Sequence, residues 1–102
     1  MLEKEIERRL VLGVRERGGL CYKFVSPGMP GVPDRIIILP DGKVIFVELK
    51  TEIGRLANIQ KWQIRELQKR GADVRIIKGW AAAKELLAEL FPAKKGGDQN
   101  GV

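Results

Sequence analysis

Apolar residues near the start of the chain recur with a helical period from residue 2 to about 17. On a 100° wheel Ile6, Leu10 and Val14 share one face, with Leu2 and Val11 at its margins. Arg8, Arg9, Arg15 and Arg17 fill much of the remaining surface. Gly18-Gly19 supplies a stop, because glycine takes the left-handed conformation that closes a last helical turn. Leu20 to Val25 reads as a short strand. The next eight residues, Ser26 to Pro33, hold three prolines and two glycines, which leaves only a loop. Arg35 to Leu39 and Val44 to Leu49 then read as strands around the turn Pro40-Asp41-Gly42-Lys43, an antiparallel hairpin.

A second helix is expected from about Leu56 to Arg70, between Gly54 and Gly71, with Leu56, Ile59, Ile64 and Leu67 as its apolar sector. Val74 to Lys78 follows as a strand, and Ala81 to Leu90 as a helix that packs through Leu86, Leu87 and Leu90. Residues 1–91 are expected to form a single domain. Residues 92–102 lack any period and are expected to be a flexible tail. The order helix, strand, strand, strand, helix, strand, helix implies a crossover between the third and fourth strands. That predicts an α/β fold with a mixed four-stranded sheet flanked by helices on both faces.

Composition narrows the chemistry. A chain of 102 residues supports one modest core, and its 19 Lys and Arg against 13 Asp and Glu give a formal charge of +6. Such an excess favours polyanionic partners, although a solvated surface uses the same residues. The sequence has no histidine, which removes Ser-His triads and imidazole ligands. Its single cysteine, Cys21, removes an internal disulfide and multi-cysteine zinc sites. No apolar run is long enough to span a bilayer, and Met1 to Arg9 mixes acids with bases, so a cytoplasmic setting without membrane contact is expected. Catalysis, if present, has carboxylates, lysines, backbone groups or an oxygen-ligated metal to work with.

Three ionisable residues break the hydrophobic pattern together. Asp34 opens one strand of the hairpin, while Glu48 and Lys50 close the other on a shared face. Because the hairpin returns to the edge it left, Asp34 should lie near both. Two adjacent carboxylates repel unless one is protonated or a cation lies between them. Mg²⁺ is the hard, oxygen-seeking candidate, Mn²⁺ its expected substitute, and the Leu49 carbonyl a further ligand. Lys50 could then orient or deprotonate water, or stabilise charge developing at phosphorus. The plainer alternative is a surface hairpin with an ordinary cross-strand ion pair.

Two helices bear on that choice. Glu3 and Glu7 fall inside the apolar sector of the first helix, where a carboxylate needs a partner in the Asp34 and Glu48 site; the alternative is that Glu3 frays with the first turn and Glu7 pairs with a local arginine. Gln60 and Gln63 lie in the sector of the second helix, able to reach Lys50 or a phosphate, or to satisfy backbone groups. Trp62 falls opposite the core face and is expected to be exposed, as an interface or stacking residue.

Taken as an ordered set, Gly31-Val32-Pro33-Asp34, a strand and Phe46-Val47-Glu48-Leu49-Lys50 resemble the signature of the PD-(D/E)XK nuclease superfamily, and more narrowly the VRR-NUC family. Glu3, Ile6 and Glu7, the Gly18-Gly19 stop, Gly54-Arg55-Leu56 and Gln60 extend the match over roughly residues 3 to 90. The resemblance implies a restriction-endonuclease-like core. It makes Asp34 and Glu48 metal ligands, Lys50 the catalytic lysine, Gln60 the active-site glutamine and Glu7 the helix-one acid, with Glu3 as the alternative. Small stand-alone members are similar to four-way-junction resolvases, which implies a Mg²⁺-dependent, homodimeric enzyme on branched DNA. A duplex endonuclease and a non-catalytic nucleic-acid-binding module are the competing functions.

Overall fold

The computed structural model describes residues 1–93, so the expected tail lies outside the described residues from residue 94 onward. Seven elements follow the anticipated order: α1 (Glu3–Glu16), β1 (Leu20–Lys23), β2 (Arg35–Ile38), β3 (Val44–Lys50), α2 (Asn58–Lys69), β4 (Asp73–Lys78) and α3 (Gly79–Leu90). Both α1 and α2 end on a glycine with positive φ, Gly18 at 88° and Gly71 at 86°. In each the next two amides return to the last turn: Gly18 and Gly19 donate to the carbonyls of Arg15 and Val14, and Gly71 and Ala72 to those of Gln68 and Leu67.

The sheet has the order β1-β2-β3-β4. β1 to β3 form an antiparallel meander, and β4 joins β3 in parallel after the α2 crossover. The mixed sheet is therefore as the pattern predicted. At the β2–β3 turn the Asp41 side chain accepts a hydrogen bond from the Lys43 amide at 3.0 Å.

One face of the sheet carries the main core. Ile37, Ile45, Val47, Leu49 and Ile77 pack there with Ile6, Leu10 and Val14 of α1 and Ala83, Leu86 and Leu87 of α3. The other face is covered less fully. The crossover helix α2 packs against β4, where Val74 and Ile64 are buried. Leu20, Tyr22, Val44 and Ile76, on that same face by strand alternation, remain exposed. The buried stripe of α2 also differs from expectation: Gln63 and Ile64 are buried, whereas Ile59 is 44% exposed. Gln63 takes an interior position because its amide donates to the Pro30 carbonyl at 3.2 Å, so burial leaves no donor unpaired. Trp62 is 45% exposed, as its position on the wheel predicted. Among the described residues no helix is long and apolar enough to cross a membrane.

The proline-rich loop sits against α2 with almost no clearance. At Gly31, φ is +91° and a Cβ would lie 2.8 Å from the Ile59 carbonyl oxygen. Gly28 has a similar φ of +80° but open space around it. Gly31→Ala should therefore add a steric displacement to a left-handed cost of about 1–2 kcal/mol, whereas Gly28→Ala bears the second alone. Urea midpoints are expected to fall further for Gly31→Ala; equal shifts would mean that the loop does not depend on this contact.

Candidate active site

The β2–β3 register brings the chemistry-bearing residues to one corner. Arg35 pairs with Val47, so the residues just beyond that rung, Asp34 and Glu48, face each other at the mouth of the hairpin. The backbone carbonyl of Asp34 accepts the Phe24 amide at 2.9 Å, which ties down the end of the proline-rich loop. Its side-chain Oδ1 accepts the Leu49 amide at 3.3 Å. Glu48 is 3% exposed. Its Oε2 accepts a hydrogen bond from Gln60 Nε2 at 3.1 Å and lies 3.5 Å from Lys50 Nζ. Its Oε1 is buried with no hydrogen-bond partner.

The electrostatics follow from this placement. Burial, reinforced by the Asp34 charge, pushes the Glu48 carboxyl up to about 7, against the opposing pull of Lys50. Asp34 is also raised, chiefly by burial; the Leu49 amide opposes this and the Glu7 charge adds to it. Cys21 is buried and its thiol is pushed up to about 11, which leaves it protonated and unreactive.

Of the residues anticipated from sequence, Asp34, Glu48, Leu49, Lys50 and Gln60 are brought together. Gln60 does two things, because its Oε1 also accepts the Ala57 amide at 2.8 Å at the start of α2. Glu7 faces inward as expected, but its Oε2 is held by Arg35, at 3.0 Å from Nη2 and 3.2 Å from Nε. It remains close enough for its charge to bear on Asp34, as does that of the exposed Glu3. Gln63 stands apart from the cluster and braces the loop at Pro30. Periodicity alone does not point to the Glu7–Arg35 pair. The usable signal was a strand cation beside Asp34 facing an inward helix acid. Among the described residues no three acidic or cysteine side chains converge as a ready-made metal cage.

Residues 20–81 match the VRR-NUC domain, a span that holds every member of this cluster except those on α1. The chain belongs to the VRR-NUC family. This is a nuclease family, consistent with the PD-(D/E)XK superfamily. The VRR-NUC chain is 62% identical over 48 residues to p44, a candidate nuclease of Acyrthosiphon pisum secondary endosymbiont phage 1. That stretch is 47% of this chain and 52% of p44, so the chain spans about half the length of that relative. A solved structure described as a VRR_NUC domain superposes with a TM-score of 0.79 at 29% identity, over 83% of this chain and 92% of the other. A second, described as a VRR_NUC domain protein, gives 0.73 at 17% identity over 88% of each chain and shows the same fold.

A raised carboxyl has a defined effect on stability. With Glu48 near 7 in the folded chain and an ordinary value of 4.5, the unfolded state releases its proton first as pH rises. The folded state then binds more protons, so stability falls across that window; Asp34 contributes with the same sign. In EDTA, urea midpoints should fall between about pH 5 and about pH 7.5. Glu48→Gln should lose most of that decline relative to the parent chain, and an unchanged slope would assign the titration elsewhere.

Proposed function

We propose that this chain is a metal-dependent endodeoxyribonuclease that uses the Asp34, Glu48 and Lys50 corner, acts on branched DNA and works as a homodimer. Residues 1–91 are taken as its nuclease domain. The observation that carries the reading is Glu48 Oε1, a buried carboxylate oxygen with no partner beside a second carboxylate. Leaving such an oxygen unsatisfied is costly, and a divalent cation removes the cost. The available donors are the carboxylates of Asp34 and Glu48 and the Leu49 carbonyl, a set that suits Mg²⁺ and, by substitution, Mn²⁺. Mg²⁺ retains much of its water and needs only one or two carboxylates, so a three-acid cage is not required. Glu7 could join this set by leaving Arg35, and Glu3 is the alternative from the same helix.

Once bound, such a cation polarises a phosphoryl oxygen and lowers the pKa of water. The protein groups supply the rest. Gln60 fixes Glu48 through Oε2 and leaves Oε1 without a protein partner, so that it would be available to a cation. Lys50 holds its ammonium beside the carboxylates, where it can meet negative charge developing at phosphorus. Basic residues around the corner engage phosphates and position DNA without reading bases.

Dimerisation is supported by the half-covered sheet face. Leu20, Tyr22, Val44 and Ile76 are exposed there, on the face that also carries Glu48 and Lys50, and Ile59 and Trp62 of α2 are exposed as well. A second copy packed on the Leu20, Tyr22 and Val44 end of this face, at the far end of the hairpin from Asp34 and Glu48, would cover that patch and relate two open sites by a twofold axis. Paired cuts across a four-way junction need that arrangement. The phage relative fits a bacterial or phage-infected cytoplasm as the setting.

Asp34→Ala and Glu48→Ala should reduce Mg²⁺-dependent cleavage to background while leaving DNA affinity in EDTA near that of the parent chain. Persistent cleavage in both would reject this site. Lys50→Ala should lose about 10²–10³-fold in turnover yet still bind metal by calorimetry. Gln60→Ala should lose about 10–100-fold, the scale of a residue that orients a ligand.

A separate measurement tests assembly and substrate. Light scattering should give a dimer that Tyr22→Glu converts to a monomer, and end-labelled four-way junctions should receive symmetric nicks. A monomeric parent chain that cuts linear duplex as readily as junctions would favour a general duplex endonuclease.

A further inference from the structure

Across the sheet from Glu48, α1 and α3 enclose a groove of about 750 Å³, within the size range of ligand sites. Trp80, Leu87 and Phe91, which pack on or within the core, form its floor, and Leu12 stands half exposed at its edge. Its rim carries Arg8, Arg9, Arg17 and Lys84 against a single acid, Glu16. Arg9 bridges to Glu5 at 3.2 Å and also lies over the Trp80 ring, 5.5 Å from its centroid. Arg17 donates to the Gly13 carbonyl, which leaves its charge uncompensated by any carboxylate in that contact. Arg8 and Lys84 are exposed and in no ion pair among the described residues.

A second depression lies beyond the α1 edge of the groove. Arg8 and Leu12 also border this shallower depression, which runs past Lys4 and Arg15 to the Glu7–Arg35 pair. This depression stays on the α1 side of the sheet, and its far end is the Arg35 charge already paired with Glu7. An apolar, partly aromatic floor beneath a cationic rim suits a ligand that combines a flat apolar body with negative charge. Nucleotides have that composition. Paired bases keep their faces stacked inside the duplex, whereas unpaired ones offer them to a protein surface.

We infer that the α1–α3 groove binds an unpaired stretch of the DNA substrate, with bases laid against the Arg9 guanidinium that covers the Trp80 ring and phosphates held by Arg8 and Lys84. The inference rests on DNA being the substrate and adds a second contact, remote from the scissile bond, that selects strands with unpaired nucleotides. Duplex arms, whose bases stay stacked, do not seat in the groove and forgo both kinds of contact there.

Binding is read without cutting, by fluorescence anisotropy in EDTA, using labelled oligothymidylate, the same length of abasic strand and a matched duplex. Wild-type protein should bind oligothymidylate more tightly than the abasic strand, and Trp80→Ala should erase that difference. Lys84→Glu and Arg8→Glu should each weaken oligothymidylate about tenfold and duplex much less. Trp80 also packs against the core, so circular dichroism and a melting curve accompany its variant; if Trp80→Ala does not fold, the two exposed charge reversals decide alone. Equal losses for oligothymidylate and duplex, or no loss, would overturn the inference. A groove that fails while wild-type protein still cuts DNA with Mg²⁺ rejects the groove alone. Absence of cutting in wild-type protein rejects the proposed activity instead.

Discussion

Desolvating the Glu48 carboxylate is unfavourable, and the fold answers that cost from three directions without fully meeting it. β3 fixes the residue in the sheet, α2 brings Gln60 to one oxygen, and Lys50 stands two residues along the same face. The other oxygen is left bare. Much of the surrounding architecture serves this corner. The antiparallel register sets Asp34 opposite, the Leu49 amide holds it there, and the parallel crossover puts α2 where its first turn can reach Glu48. A chain of this size has little stability to spare, so an incompletely paired buried carboxylate is a substantial concession.

Much of this was legible in the residues. The Ile6, Leu10, Val14 stripe, the glycine stops and the Asp41-Gly42 turn each reflect a local preference that tertiary packing left in force. Placing Asp34 beside Glu48 required only that a hairpin return to its starting edge. Other features were set by partners distant in sequence. Gln63 is buried because the Pro30 carbonyl, far away along the chain, offers it an acceptor, and no wheel encodes that. The order of elements suggested a sheet flanked by helices on both faces. Yet Ile37 alone in β2 is fully buried, because α2 sits over β4 and leaves the other end of the sheet open. Helix placement across a sheet depends on crossover geometry, to which single-residue patterns are blind.

Charge is divided between the two faces of the molecule in a consistent way. The sheet face with Glu48 and Lys50 exposes Leu20, Tyr22, Val44 and Ile76 near a small ionic centre, whereas the α1–α3 groove is bordered by Arg8, Arg9, Arg17 and Lys84 against one acid, Glu16. The Glu7–Arg35 pair lies between them. It ties α1 to the start of β2, one residue from Asp34.

Gln60 narrows what sequence change this corner can tolerate. Its side chain must accept from the Ala57 amide and donate to Glu48 at the same time, from one position on the first turn of a helix. Glutamate has the right length and could accept, but would present a second negative charge to Glu48. Lysine could donate but would leave the Ala57 amide unmet, and asparagine is one methylene shorter. An amide of this length satisfies both neighbours while remaining neutral. The start of the crossover helix and the polarity of the carboxylate pocket are therefore specified by a single side chain, and neither can be redesigned without the other.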